Sequence, residues 1–299
     1  MDKLDAMQTF VRVAEAGSFT AVADQQQVVR SAVTRQIAAL EKHLCVKLIT
    51  RSTRSLTLTP AGAAYLEKCR VILNMVDAAE SSLDEDNAVP RGRIRLGLPL
   101  SFGLQRLMPA LLDFARLQPQ IEWVLDFSDQ RANLIEEGLD LSIRITADLQ
   151  PGDIVRRLGQ CRLLTLAAPA YVSEHGAPTH PDQLRHHECL VYSMGMNTAT
   201  WAYAVEGQTQ AFAVRGRMRA NNGLALVQAC AQGMGVTLQP DFIAESFLAS
   251  GDVVEVLQEF APPPLGIYAV LPSNRYIPHR VNVLMDHLAQ FLGRTDTGR

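Results

Sequence analysis

An α/β protein headed by a small, basic, mainly helical module is what these 299 residues predict. Three observations carry that expectation. Apolar residues recur at three-and-four spacing through the first 44 positions, the mark of amphipathic helices. The charge is uneven: residues 1–60 hold eight Lys and Arg against five Asp and Glu, and the remainder holds twenty against twenty-six, so a net −3 hides a basic head on an acidic body. After Gly92, short apolar runs alternate with stretches of helical length, the order that builds sheets covered by helices.

The spacing of Leu4, Met7, Phe10, Val11 and Ala14 predicts a helix over 3–16, stopped at Gly17. Ser18 can cap a second, short helix over 19–26. A third is predicted from Arg30 to Leu44. At about 100° per residue, Val29, Val33, Ile37, Leu40 and Leu44 fall within an arc of about 80°, and Arg30, Ser31, Thr34 and Arg35 share a different, outward arc. Residues 47–58 are β-rich and alternate in polarity around Arg51-Ser52-Thr53-Arg54, as a small hairpin would. Within 30–54, Arg30, Arg35, Lys42, Lys47, Arg51 and Arg54 face a single acid, Glu41. Three helices and a basic hairpin make a winged helix-turn-helix. Arginine and hydroxyls on the third helix suit base edges in a major groove, and hairpin arginines suit phosphates or the minor groove.

Thr59-Pro60 is a strong helix start, cap followed by first-turn proline. Leu66, Cys69, Leu73, Val76 and Leu83, flanked by Tyr65, Ile72 and Ala79, form an apolar seam on a helix over 60–83, about 36 Å long. Such a seam needs a partner. A second copy of the chain is the simplest, and packing on its own chain is the alternative. Residues 84–92, polar and broken by Pro90 and Gly92, mark the clearest boundary.

Beyond it, strands are predicted at 94–98, 123–127, 141–145, 163–167, 190–192, 212–218, 236–238 and 267–271. Helices are predicted at 104–117, 132–137, 223–231, 242–249 and 281–292. This order implies largely parallel strands. No internal repeat is visible.

Several function classes lack support. No run of eighteen apolar residues suggests a membrane span, and the N-terminus lacks the order of an export signal, so a cytoplasmic protein is expected. The five cysteines are odd in number, with no C-x-x-C, which argues against a disulfide framework. His175, His180, His186 and His187 gather near Cys189 in what reads as a surface loop, without the convergence a metal site needs. Neither G-x-S-x-G, nor a phosphate-binding glycine loop, nor H-E-x-x-H is present, and Gly233-Met234-Gly235 lacks the third glycine of a dinucleotide site. No enzyme, cofactor or metal is expected. A solute-binding module without gene control would leave residues 1–59 without a purpose.

Specific residues extend this reading. The stretches Ala14-Glu15-Ala16-Gly17-Ser18-Phe19-Thr20-Ala21, Ser31-Ala32-Val33-Thr34-Arg35-Gln36-Ile37 and Leu48–Thr59 resemble the DNA-binding domain of LysR-type transcriptional regulators. The resemblance continues through Asp140–Ile145, Arg219–Gly223 and Gly233–Phe242, so it spans essentially the whole chain. It implies a winged helix-turn-helix over 1–59, a dimerising linker helix and hinge over 60–90, and an effector-binding module over 91–299. That module would comprise two Rossmann-like lobes resembling periplasmic binding proteins, lobe I about 91–161 plus 266–299 and lobe II about 162–265. Arg30, Ser31, Thr34 and Arg35 would read bases, with Thr20, Arg51 and Arg54 on the backbone or minor groove.

The expected partners are promoter DNA of imperfect dyad symmetry, further copies in a homotetramer built as a dimer of dimers, and a small-molecule effector. Effector contacts would come from Leu100, Ser101 and Phe102, where a strand meets a helix, with Ser128, Arg144, Asn222, Gln239 and Pro240 closing the cleft. An arginine among hydroxyls and an amide suits an anion.

Three positions depart from the family pattern. Gln26 stands where leucine is common, Val29 where a serine caps the third helix, and Cys45 where glycine ends it. A buried glutamine that must find partners and a missing cap predict a less stable turn between the second and third helices.

Overall fold

The computed structural model describes residues 2–51, 56–81, 89–131, 133–134, 137–192, 199–272 and 277–296. They fall into two compact units: residues 1–89 with 133–138 and 274–282, and residues 90–132 with 139–273 and 283–299.

In the first unit α1 (Lys3–Ala16), α2 (Phe19–Gln25) and α3 (Arg30–Leu44) match the spacing of the sequence closely. Asp2 caps α1, Gly17 ends it in the left-handed region (φ 60), and Ser18 caps α2. The hairpin β1 (Ile49–Arg51) and β2 (Leu56–Leu58) follows, antiparallel, with Ile49 opposite Leu58. Phe10, Val13, Val22, Val33, Ile37, Leu40 and Leu48 close one core, to which the long helix α4 (Pro60–Ser81) adds Leu66 and Cys69. Thr59 ties the joint: its hydroxyl accepts from the Gly62 N–H (2.9 Å) and donates to the Lys47 carbonyl (2.7 Å). Gly62 is required there, since a Cβ would lie 2.0 Å from the Leu48 carbonyl oxygen.

Gln26, before the turn between α2 and α3, finds a partner in α1. Gln26 donates Nε2 to Thr9 Oγ1 (3.4 Å), Thr9 donates to Gln36 Oε1 (3.1 Å), and Gln36 donates to Asp5 (2.5 Å). The glutamine thus has partners. The cap, however, is missing as expected: Val29 makes no side-chain hydrogen bond and is 67% exposed. Cys45 holds the left-handed conformation (φ 54) at the end of α3.

The seam on α4 divides between the two readings. Leu66 and Cys69 are buried in their own chain's core and Tyr65 packs on Phe10, whereas Ile72 on the flank stays exposed, as does Met75, which lies outside the seam. Leu83 lies outside the described residues.

The second unit opens with β3 (Gly92–Leu98). A continuous helical stretch follows: α5 (Leu100–Phe102), a π turn over Gly103–Leu107, and α6 (Met108–Leu117). Then come β4 (Ile121–Phe127), β5 (Leu141–Thr146) and β6 (Ile154–Cys161). The chain crosses to β7 (Leu163–Ala167), α7 (Pro169–His175), β8 (Cys189–Tyr192), and the hairpin of β9 (Ala199–Val205) and β10 (Gln208–Val214). It continues through β11 (Arg219–Ala220), α8 (Gly223–Ala231), β12 (Val236–Pro240), α9 (Asp241–Ser250) and β13 (Val254–Val256). Finally β14 (Leu265–Leu271) returns to the first sheet and α10 (His279–Asp296) ends the chain.

Two five-stranded sheets result, β4-β3-β5-β14-β6 and β11-β8-β12-β7-β13. Each is a parallel trio followed by two strands joined antiparallel, so the expectation of largely parallel strands is corrected to mixed sheets. The reason lies in the connections: β6 passes to β7, and β13 to β14, without a crossover helix, and each such return leaves a strand running the opposite way. Each sheet repeats the other's pattern, a repeat the residues do not show. Around Asn133–Glu137 the described residues form one turn, closed by the Glu137 N–H on the Asn133 carbonyl (2.9 Å), and 132, 135 and 136 lie outside them.

The histidine stretch is only partly a loop, which includes 176–180. Tyr171 on α7 stacks on His175 (4.3 Å), His187 meets the Tyr171 hydroxyl (3.2 Å), and 181–186 form a 3-10 helix. Among the described residues no cluster could hold a metal ion, and no helix is long and apolar enough to cross a membrane. Burial pushes the Cys69 thiol up to about 11 and those of Cys189 and Cys230 to about 12, away from thiolate chemistry.

Candidate functional site

Two surfaces carry candidate chemistry, one in each unit. On α3, Val33, Ile37 and Leu40 face the core, which fixes the rotation of the helix and turns Arg30, Ser31 and Arg35 outward. All three are exposed, and Thr34 is half-buried beside them. Arg35 folds back, its Nε donating to the Ser31 carbonyl (3.3 Å). Thr20 is exposed on α2. Arg51 ends β1, its backbone opposite Leu56, and Arg54 lies outside the described residues.

The one acid of this basic stretch is not on the surface. Glu41 is buried: Oε1 accepts from the Leu48 (3.0 Å) and Ile49 (3.2 Å) amides, and Oε2 accepts from Lys47 (2.6 Å). Burial alone would raise its pKa. Hydrogen bonds from Lys47 and from the Ile49 and Leu48 amides outweigh burial and hold it below the ordinary glutamate value. Glu41 thereby pins the hairpin to α3 while Arg30 and Arg35 keep their outward charge. The signal for this was present in the sequence as a lone acid amid bases, but burial is invisible there.

In the second unit a cavity of about 470 Å³ lies at the carboxyl ends of β3, β4 and β12. Of the sequence-predicted effector residues, Ser101, Phe102, Ser128, Arg144, Gln239 and Pro240 line it. Leu100 does not: its side chain is exposed, and its N–H donates to Asp129 Oδ1 (2.9 Å). Asn222 flanks the cavity rather than lining it. Its Oδ1 caps α8 at Ala225 (3.1 Å), and its Nδ2 reaches Asp129 Oδ2 (3.3 Å) and Ser101 Oγ (3.5 Å). Phe102 meets Phe242 edge-on at 5.0 Å, and Arg106 pairs with Glu245 at 2.6 Å, so both sheets' helices grip across the cavity.

Sequence reasoning missed Asp129, Tyr192, Trp201 and Phe242, all on the wall. Nothing in their local spacing marks them, because they converge only through the chain crossings. Burial and the Asp129 carboxylate push the Tyr192 phenol up to about 12. The charged lining comprises Asp126, Asp129, Asp148 and Asp153 against Arg131 and Arg144, with Arg131 bonded to Asp153 (2.8 Å).

Comparison with known proteins agrees with both surfaces. Residues 4–63 match the family model for bacterial regulatory helix-turn-helix proteins of the lysR family, and residues 87–293 match the LysR substrate binding domain. An HTH-type transcriptional regulator of Haemophilus influenzae is 33% identical over 281 residues, 94% of this chain and 98% of that protein. The structure of CrgA, a LysR-type transcriptional regulator from Neisseria meningitidis, is similar at TM-score 0.61 and 30% identity, covering 97% of this chain and 98% of its own. The full-length Vibrio cholerae virulence activator AphB is similar at TM-score 0.59 and 29% identity, over 96% and 99%. An exposed basic face on α3 and a walled cavity in one polypeptide therefore have a common explanation: the chain belongs to the LysR family, DNA-binding transcriptional regulators with a substrate-binding regulatory domain, and it is not an enzyme.

Proposed function

We propose that α3 enters the major groove of a promoter, with Arg30, Ser31, Thr34 and Arg35 on base edges and Thr20, Arg51 and Arg54 on phosphates or the minor groove. The observation that carries this is the exposed Arg30–Ser31–Arg35 face, turned outward by burial of Val33, Ile37 and Leu40 behind it. Residues 1–59 are the DNA-binding domain, 60–90 the linker, and 91–299 the regulatory domain, with lobe I at 91–161 plus 266–299 and lobe II at 162–265. The exposed Ile72 and Met75 on α4 support pairing with a second copy, and two such dimers would assemble into a tetramer on a dyad-related site. A DNA-binding role supports a cytoplasmic location.

A small-molecule effector would occupy the cavity, changing the angle between lobes and so the spacing of paired DNA-binding domains. Arg144 on the wall supports an anionic group on that effector. Four aspartates against two arginines count against it, since like charges on the wall repel an incoming carboxylate.

The test is a gel shift on the chain's own upstream region. Arg35→Ala should weaken specific binding by about 1–3 kcal/mol through loss of a base contact. Unchanged affinity and unchanged salt dependence would remove α3 from the interface.

A further inference from the structure

We infer that the cavity selects an uncharged, largely apolar molecule that donates a hydrogen bond, and discriminates against carboxylates. This rests on the reading of the cavity as the effector site.

The central observation is a buried amide whose orientation is fixed. Gln239 is 1% exposed and lines the cavity. Its Nε2 donates to Thr237 Oγ1 (3.0 Å), and the Thr237 hydroxyl, itself fully buried, donates its only proton to the Leu190 carbonyl (3.0 Å). Thr237 Oγ1 can therefore only accept, so the amide must turn its NH₂ towards it and Oε1 away. Among the described residues nothing donates to Oε1. Space for it depends on Gly223, where a Cβ would lie 2.5 Å from that oxygen. With no protein donor on it, this oxygen is left for a ligand hydroxyl or amide N–H entering the cavity.

Two helix-start amides beside the cavity are already taken by the protein, and Arg131 and Arg144 are outnumbered on its wall by four aspartates. The Leu100 amide is taken by Asp129 Oδ1 and the Ala225 amide by Asn222 Oδ1, while Asp129 Oδ2 takes the Asn222 amide. An incoming carboxylate would meet Asp129 where it needs a donor. The remaining wall, including Leu98, Phe102, Leu238 and Phe242, is apolar and suits an uncharged body.

The test uses three probes of one shape on the full chain: 2-naphthylmethanol, its methyl ether, and 2-naphthoate, with binding read by calorimetry and by the shift in melting midpoint. The alcohol should bind about tenfold more tightly than the ether, which cannot donate, and than the naphthoate. Gln239→Met should erase the preference for alcohol over ether. Thr237→Val should narrow it by freeing the amide to flip, and Thr237→Ser, which keeps the hydroxyl, should restore it. Recovery by serine separates a positioning role from general damage and holds even if Gln239→Met fails to fold.

Naphthoate binding as tightly as the alcohol, or no binding by the alcohol, overturns the inference. Leu238→Trp, which fills the cavity, separates the two failures. If it abolishes naphthoate binding, the cavity stands as the site and only the ligand class falls. If it leaves naphthoate binding intact, the effector-site reading falls as well.

Discussion

Glu41 shows how a single residue shapes the surface proposed to face DNA from beneath it. Its carboxylate replaces water for two backbone amides at the root of the hairpin, and Lys47 balances its charge. Because its pKa in the folded chain lies below that of an unfolded glutamate, its contribution to stability is complete above the unfolded value of about 4.3 and is lost as pH falls through the folded value. Glu41→Gln should therefore lower the melting midpoint at pH 7, by an amount matching about 1–3 kcal/mol for imperfectly paired buried amides. The gap between the two proteins should shrink below about pH 4. An equal gap at pH 7 and pH 3 would show that the charge of Glu41 does nothing. Gln26 belongs at this scale too: the sequence marks it as a polar group in an apolar position, but its partner, Thr9, is seventeen residues away and appears only on folding.

At the scale of elements, α3 begins without a cap. Val29 has extended backbone angles (φ −73, ψ 141), as a cap residue should, but no side-chain oxygen to accept from the first-turn amides. Val29→Ser should stabilise the chain by about 0.5–1 kcal/mol, read in urea melts, without loss of promoter binding. No gain would mean that solvent already satisfies those amides. Helices α1 to α4 were legible because each carries its own periodicity, stops and caps within a few residues. The strand β6 was not. Arg156 and Arg157 interrupt its apolar pattern, which an edge strand tolerates because it borders the sheet on one side only. The hairpin strand β9 was missed for a related reason: Ala202 and Ala204 lie on its outer face between Trp201, Tyr203 and Val205, which face the core.

For the whole molecule, assembly and ligand response are the properties of interest. Ile72 and Met75, each more than a third exposed on α4, are apolar groups without cover in one chain. Ile72→Asp should shift the protein from dimer to monomer in sedimentation and abolish cooperative binding to a two-half-site promoter, while leaving the melting of the DNA-binding core near its original midpoint. A dimer that survives the change would place the interface elsewhere.

The sequence by itself determined the helix-turn-helix, its outward arginines and the chain's family, because those rest on local periodicity and contiguous motifs. Six of the eight effector residues it named also line the cavity. Only the tertiary structure decided which way Gln239 turns its amide, that Asp129 fills the helix-start amide, and that both sheets share one mixed topology. Those features depend on groups brought together from distant parts of the chain, and the direction of a proton shared between them is set by three-dimensional neighbours, not by spacing along the backbone.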